Sequence, residues 1–248
     1  MTSKKRLHLH IGTHKTGSTA FQYFMRDHAR VLSNAGFSFY EGMKEIENHL
    51  ELHVAAMRPE RMSFSKEKYE IADIESFRHE VANNVSRHYA AHPQSEPIFS
   101  AEGLALLRYP DELRTLGQLI EAERFDVRVL LVLRNRQAYL DSMRRQILKV
   151  PGRLPSQEPD SHRYVEDDSW LVDYDHIRKL WADEFGPDNL TVIDYDAARA
   201  ANDGNIIPPM LDAIGAPTNL KNKSRGYRHN VDTRWAKIRR WVAKHKAF

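Results

Sequence analysis

The run of residues 127–133 (VRVLLVL) constrains the fold more than any other feature of the sequence. It is almost continuously apolar, without the polar alternation of a half-exposed strand. A strand of this kind is covered on both faces, which is typical of a central strand in a parallel sheet. We therefore expect an α/β protein.

Further strands alternate with helical segments along the chain. Strands are predicted at residues 6–12, 37–40, 97–100 and 190–195. Helical patterns occupy residues 18–36, 110–123, 137–149 and 171–185, and the polar stretch 41–92 is mostly helical, with Ile71, Ile74, Phe77, Val81 and Val85 on one face. This order predicts a central, mainly parallel sheet flanked by helices. We expect a single domain, residues 1–248, because no linker interrupts the pattern.

The composition excludes several classes of protein. The chain of 248 residues contains no cysteine, which rules out disulfides, thiolate nucleophiles and cysteine-based metal sites. Its mean hydropathy is −0.63, and no apolar run approaches the roughly 18 residues that a transmembrane helix needs. No signal-peptide segment is expected after the basic N-terminus, because His8 and His10 interrupt the apolar residues at positions 7–12. These features favour a reducing, cytoplasmic setting.

The net charge of +3 conceals an asymmetry along the chain. Residues 221–248 carry ten lysines and arginines against one acid, so the preceding residues are negative overall. A general affinity for nucleic acid is therefore not implied. Residues 231–248 are predicted to form a basic amphipathic helix after a core of residues 1–230. Its tryptophans, Trp235 and Trp241, suit core packing or a homo-oligomer contact.

The first motif with chemical content lies between the first strand and the first helix. It reads Gly12-Thr-His-Lys-Thr-Gly17-Ser18-Thr19. Glycines let the backbone approach an anion, and the free N–H groups at a helix N-terminus point at it. The two glycines have the spacing of the nucleotide-binding P-loop, but the lysine that normally follows the second glycine is displaced to position 15.

With its displaced lysine, this segment closely resembles the 5′-phosphosulfate loop of sulfotransferases that use 3′-phosphoadenosine 5′-phosphosulfate (PAPS). Ser18 stands where threonine is common and keeps the hydroxyl group. The resemblance implies a P-loop NTPase-like sulfotransferase fold, PAPS as cofactor and 3′-phosphoadenosine 5′-phosphate (PAP) as its product. The expected cofactor contacts in the loop are Gly12, His14, Lys15, Thr16, Gly17, Ser18 and Thr19.

A second motif fits the same family. Arg134 follows the apolar strand, and Ser142 lies eight residues further on, in the next predicted helix. An arginine at the carboxyl end of a central strand points into the crevice where α/β sheets bind ligands. Its planar guanidinium matches a phosphate bidentately. The resemblance implies that Arg134 and Ser142 hold the 3′-phosphate of the cofactor.

The third element is Glu102, at the end of the predicted strand 97–100. Many carbohydrate-modifying and bacterial sulfotransferases place a glutamate here, so the resemblance implies Glu102 as general base and Lys15 as the cation beside the leaving oxygen. The alternative for Glu102 is a first-turn acid of the following helix. His10 and His14 are the reserve candidates for the base. The cluster of His8, His10 and His14 lacks a carboxylate at ligand spacing, and we expect no metal.

Two late segments complete the predicted site. Residues 217–230 form a predicted basic loop in which Arg225 and Gly226 would complete the 3′-phosphate site by resemblance. Residues 151–169 are a predicted long loop, and loops of this length are usually functional or disordered. They are our candidate for an acceptor lid.

These motifs occur in the order of the family and predict a PAPS-dependent sulfotransferase that requires no metal. The expected acceptor is a hydroxyl group, of a carbohydrate or a small polar alcohol. One alternative is a P-loop kinase or NTPase, which would need acidic Mg²⁺ ligands, and Asp194 and Asp196 are the nearby carboxylates. Another is a non-catalytic protein whose basic tail binds a polyanion.

Overall fold

Five parallel strands form one sheet in the order β2-β3-β1-β4-β5. The structure, a computed structural model, describes residues 4–227. The strands are β1 (Arg6–Gly12), β2 (Phe37–Phe39), β3 (Glu96–Ser100), β4 (Asp126–Leu133) and β5 (Leu190–Asp194). All five strands were predicted within a residue or so, and the α/β fold class is confirmed.

Helices cover both faces of the sheet. They are α1 (Ser18–Asp27), α2 (Ala29–Asn34), α3 (Leu50–Ala56), α4 (Phe64–Lys68), α5 (Ile74–Ala91), α6 (Pro110–Leu119), α7 (Arg136–Leu148), α8 (Tyr174–Phe185), α9 (Tyr195–Ala200), α10 (Ile207–Ala213) and α11 (Thr218–Ser224). Helices α3 to α8 pack on one face, and α1, α2, α10 and α11 pack on the other. No helix within residues 4–227 is long and apolar enough to cross a membrane.

Strand β1 is buried on both faces but has two kinds of residue. Leu7, Leu9 and Ile11 face the core beneath α3 to α8. His8 and His10 point to the opposite face, where they are hydrogen-bonded: His8 Nε2 lies 2.8 Å from Glu96 Oε2, and His10 Nδ1 lies 2.7 Å from Ser100 Oγ. One ring nitrogen of each histidine thus finds a partner on β3, while His8 Nδ1 and His10 Nε2 are buried without a partner among the described residues.

The helices differ from prediction at their ends. The predicted helix 18–36 is divided into α1 and α2, because the backbone at His28 leaves helical geometry while its ring stacks on Phe24. The predicted helix 110–123 ends at Leu119, and a separate 3₁₀ turn, Ala122–Arg124, follows. Ile71 lies before α5, which begins after the Asp73 cap.

The predicted basic loop at residues 217–230 is wrong over its first half. Helix α11 occupies Thr218–Ser224. Its anchor is Leu220, which is fully buried in the core under α1 and α10. A single apolar residue among lysines and asparagines gives no periodicity in the sequence, so the helix depends on tertiary packing. The predicted C-terminal helix, residues 231–248, lies outside the described residues.

The topology determines where a ligand can bind. Strand β1 leads to α1 on one face, whereas its neighbours β3 and β4 lead to helices on the other face. The carboxyl end of β1 is therefore a topological switch point, where the connecting segments diverge and leave a crevice. Gly12 ends β1 there with a φ of 84°. A Cβ atom at Gly12 would lie 2.7 Å from Cα of Glu102, so only glycine permits this approach.

Gly12 and Gly36 provide a matched test of this contact. Both have a φ of 84°, but a Cβ at Gly36 meets nothing within 4 Å. Gly36→Ala should cost the left-handed strain alone, about 1–2 kcal/mol in the free energy of unfolding. Gly12→Ala should cost a further 1–3 kcal/mol, roughly, because the backbone after β3 must also move. Chemical denaturation measures both, and equal losses would contradict the close approach.

Candidate functional site

A cavity of about 600 Å³ lies at the carboxyl ends of β1, β3 and β4. This volume is in the range of small-molecule sites. Eight residues predicted from the sequence line it, namely His14, Lys15, Gly17, Ser18, Thr19, Glu102, Arg134 and Ser142. The structure thus brings the loop motif, the glutamate and the arginine–serine motif together in one crevice.

The loop after β1 is fixed by hydrogen bonds to β4 and within the loop itself. The Thr13 amide donates a hydrogen bond of 2.7 Å to the carbonyl oxygen of Val132 in β4. The fully buried Thr16 donates its hydroxyl to the Thr13 carbonyl oxygen at 2.5 Å. Thr16 and Gly12 do not line the cavity. They shape the loop, and their role as cofactor contacts stays a prediction.

The N-terminus of α1 opens onto the cavity. Gly17 precedes the helix with a φ of 82°, and no side chain caps the first turn. Ser18 is the first helical residue, and its Oγ is buried without a hydrogen-bond partner among the described residues. Free N–H groups and an unpaired hydroxyl at a helix N-terminus form a site for an anion.

Arg134 follows β4 and faces the same cavity from the other side. Its Nη1 lies 3.4 Å from the carbonyl oxygen of Lys15, and its Nε is buried without a partner within residues 4–227. The guanidinium lies over the ring of Tyr195, 5.4 Å from the centroid. Ser142 lines the cavity from α7. An arginine that lines a cavity and keeps a buried N–H group unused favours an anionic ligand here.

Lys15 extends from the loop toward α7. Its Nζ donates a hydrogen bond of 2.8 Å to Oε1 of Gln146. Burial lowers the pKa of Lys15 below that of an ordinary lysine, and the nearby charge of Lys149 lowers it further, while Glu102 acts in the opposite direction. The side chain is thus a partly desolvated cation whose charge is weakly compensated.

Glu102 begins a 3₁₀ turn, Glu102–Leu106, directly after β3. Its Oε2 accepts a hydrogen bond of 3.0 Å from Nε2 of Gln22. The side chain lines the cavity and makes no cap to the turn. Glu102 is thus an acidic residue in the first turn of the 3₁₀ helix, as the alternative expects, but its carboxylate binds Gln22.

The two reserve histidines are in different places. His14 lines the cavity, its Nδ1 is buried without a partner in the described part of the chain, and burial lowers its pKa while Glu102 opposes the shift. His10 is enclosed in the sheet beside Phe21, and burial lowers its pKa to about 3. Only His14 is at the cavity, and we expect it to be neutral at pH 7.

Other lining residues gave no motif in the sequence. Ala20 belongs to α1 and Tyr227 follows α11. The others come from the segment after β5 and are Tyr195, Arg199, Asp203, Gly204, Asn205, Ile206 and Ile207. Tyr227 Oη donates to Asp27 Oδ2 at 2.7 Å. Tyr195 directly follows β5, so the rule that selected Arg134, a residue at the carboxyl end of a strand, could also have identified Tyr195.

Several predicted residues lie elsewhere. Arg225 and Gly226 follow α11 and do not line the cavity, although the next residue, Tyr227, does. No residue of the 151–169 loop lines it either. That loop is bound to α4 through Glu67, which pairs with Arg153 at 2.9 Å and with the buried His162 at 3.2 Å.

The carboxylates considered for Mg²⁺ have structural partners. Asp194 Oδ1 accepts the amide of Ala197 at 2.9 Å and caps α9, and Asp196 Oδ2 accepts the amide of Asn135 at 2.9 Å. Neither lines the cavity. Among residues 4–227 no cluster of three His, Asp or Glu side chains is placed to hold a metal ion.

Comparison with solved structures, but not with sequences, finds proteins of similar architecture. No protein-family model matches the sequence, and no curated protein matches it significantly. In structure, the chain is similar to a sulfotransferase from Alicyclobacillus acidocaldarius, with a TM-score of 0.57 and 13% identity over 96% of this chain and 92% of that one. The chain has the sulfotransferase fold.

Two other sulfotransferases are similar at lower TM-scores. A sulfotransferase domain from the curacin biosynthetic pathway has a TM-score of 0.46 and 11% identity, over 87% of this chain and 76% of that domain. A mouse sulfotransferase complexed with PAP has a TM-score of 0.39 and 16% identity, over 96% of this chain and 63% of that one.

The influence of Lys149 on Lys15 is testable in the sulfotransferase-fold protein without any ligand. Lys149→Met removes a positive neighbour, so the pKa of Lys15 should rise and the lysine should stay protonated to higher pH. The titration of the Lys15 ¹³Cε resonance, assigned with Lys15→Arg, measures this. Lys179→Met is the control, because Lys179 pairs with Asp183 on the distant α8. An unchanged midpoint in Lys149→Met would contradict the coupling.

Proposed function

We propose that the protein is a PAPS-dependent sulfotransferase that acts on a hydroxyl group of a carbohydrate or small polar alcohol. The observation that carries the proposal is a pair of buried polar atoms that have no hydrogen-bond partner among the described residues, on two residues that line one cavity. Ser18 Oγ lies at the N-terminus of α1 and Arg134 Nε at the end of β4. Together they provide two anion sites, as a cofactor with separate 5′ and 3′ phosphate groups requires.

The residues of the loop suit the 5′-phosphosulfate end of PAPS. The first N–H groups of α1, with the hydroxyls of Ser18 and Thr19, would bind its oxygens, and no acidic residue in that turn opposes them. Arg134 and Ser142 would hold the 3′-phosphate. The rings of Tyr195 and Tyr227 border the rest of the cavity and offer apolar faces to a purine base. The predicted contribution of Arg225 and Gly226 stays a prediction.

When bound, PAPS supplies an activated sulfuryl group whose bridging oxygen leaves with the 5′-phosphate. Lys15 has the charge to stabilise that oxygen, which becomes more negative only in the transition state. Interactions that strengthen in the transition state raise kcat and affect ground-state binding less. Burial of Lys15 makes its electrostatic effect larger than in water.

Glu102 is the base in this proposal. Glu102 lines the cavity at the end of β3. Its charge acts on the pKa of both Lys15 and His14, so it lies near these two side chains. It would take the proton of the acceptor hydroxyl as the oxygen attacks the sulfur. The polar surroundings of Glu102, with His14, Lys15 and Gln22 nearby, support a polar acceptor.

The kinase or NTPase alternative has no observation in its favour. The two carboxylates considered for Mg²⁺ lie away from the cavity and accept hydrogen bonds from backbone amides. The alternative of a polyanion-binding tail, and a homo-oligomer through the C-terminal helix, concern residues outside those described. The acceptor lid at residues 151–169 also stays a prediction.

Lys15→Ala should lower kcat about 10²–10³-fold, in the range for the loss of one donor to a developing anion. The affinity for PAP should change far less. Transfer of ³⁵S from PAPS to a panel of sugars and small alcohols measures turnover, and calorimetry measures PAP binding. At pH 7, Lys149→Ala should retain activity. Equal losses of turnover and PAP affinity in Lys15→Ala would contradict the transition-state role.

Glu102→Gln should keep the affinity for PAP and lose 10²–10⁴-fold in ³⁵S transfer, roughly the contribution of a general base. The amide has the shape of the carboxylate but cannot take the proton. His14→Asn provides the comparison, since His14 is the remaining histidine at the cavity. Full activity in Glu102→Gln with loss in His14→Asn would transfer the role of base to His14.

A further inference from the structure

Gln22 is a buried polar side chain to which the reaction above gives no role. It lies in the second turn of α1 and is 2% exposed. A buried amide requires hydrogen-bond partners, because an unpaired one costs desolvation free energy. Its partners connect the helix of the anion site to the residue proposed as base.

Two hydrogen bonds determine the direction of the Gln22 amide. Nε2 donates to Oε2 of Glu102 at 3.0 Å and lies 3.4 Å from the carbonyl oxygen of Ser100. Both partners are acceptors only, so the NH₂ end of the amide must face the end of β3. A carboxylate oxygen that accepts an N–H bond from a buried side chain is fixed in direction.

The backbone on which Glu102 stands is also fixed. The Ser100 hydroxyl lies 2.7 Å from Nδ1 of His10, and the Ser100 amide donates to Nδ1 of His49 at 2.9 Å. Both histidines are buried, and burial lowers the pKa of each to about 3, so they are neutral and do not compete as cations for Glu102. Gln22 therefore contacts the carboxylate from a rigid frame.

We propose that Gln22 is a positioning residue for sulfuryl transfer, which holds Oε2 of Glu102 so that Oε1 faces the acceptor. The inference rests on the function proposed above. Oε1 accepts no hydrogen bond from the described residues and lies on the side chain that lines the cavity. Gln22 itself does not line the cavity, so it acts through Glu102.

In the step that this arrangement serves, the acceptor oxygen forms a bond to sulfur and its proton passes to Oε1. The bond between sulfur and the bridging oxygen breaks, and its electron pair stays on the 5′-phosphate oxygen beside Lys15. The products are the sulfated acceptor and PAP, with the proton on Glu102. No metal or redox partner is needed for this balance.

Gln22→Met tests the role, because methionine keeps the length of the side chain and removes the amide. We expect kcat for ³⁵S transfer, with the best acceptor of the sugar and alcohol panel, to fall about 10–100-fold, part of the contribution of a general base. KM for PAPS and the Kd of PAP should be unchanged.

Two further variants separate positioning from folding. Gln22→Glu keeps the shape of the side chain but replaces the N–H donor to Glu102 by a carboxylate oxygen, so kcat should fall at least as far as in Gln22→Met. In a Glu102→Gln background, Gln22→Met should have no additional effect on kcat, because Gln22 acts through the carboxylate. Thermal unfolding and PAP calorimetry establish that each variant is folded.

The outcomes distinguish this inference from the proposed function. An active wild type with an unchanged kcat in both Gln22 variants, or additive losses in the double variant, would overturn the positioning role and leave the sulfotransferase proposal standing. A wild type that binds no PAP and transfers no ³⁵S to any acceptor in the panel would overturn both.

Discussion

The approach of the backbone at Gly12 to Glu102 is the contact on which the site depends. Parallel pairing of β1 with β3 places the two strand ends side by side, and the missing Cβ at Gly12 lets them touch. The loop that carries Lys15 then begins directly beside the carboxylate. Because helices leave these two strands on opposite faces, the space above the contact stays open. One glycine thus joins the anion-binding loop to the proposed base.

Charge in the crevice is arranged in two parts. Near the strand ends, Lys15 and Glu102 have opposite charges, and Glu102 opposes the lowering of the Lys15 pKa. Arg134 and the N-terminus of α1 provide positive potential, and the first turn of α1 contains no acidic residue. Ser18 Oγ and Arg134 Nε are buried without hydrogen-bond partners among residues 4–227, and such groups reduce the stability of a folded chain. Their retention in one cavity is reasonable if a ligand satisfies them, as strained or unsatisfied groups often occur at functional sites.

The sequence predicted the parts of the site that depend on local patterns. Strand 127–133, the glycine-containing loop and Arg134 were found because burial on both faces, backbone freedom and position at a strand end leave local traces. Helix α11 was missed because its stability comes from one leucine packed in the core. The direction of the Gln22 amide and the position of the 151–169 loop away from the cavity depend on tertiary packing. No spacing along the chain encodes them.

We propose that the crevice binds a nucleotide with phosphates at both the 3′ and 5′ positions. Thermal unfolding with PAP, with ATP and Mg²⁺, and without ligand tests it most directly. At 100 times its Kd a ligand adds about 2.7 kcal/mol, which corresponds to roughly 5–10 °C in Tm for a chain of this size. We predict a shift of that order with PAP and little with ATP. A shift with ATP and Mg²⁺ alone would contradict the claim.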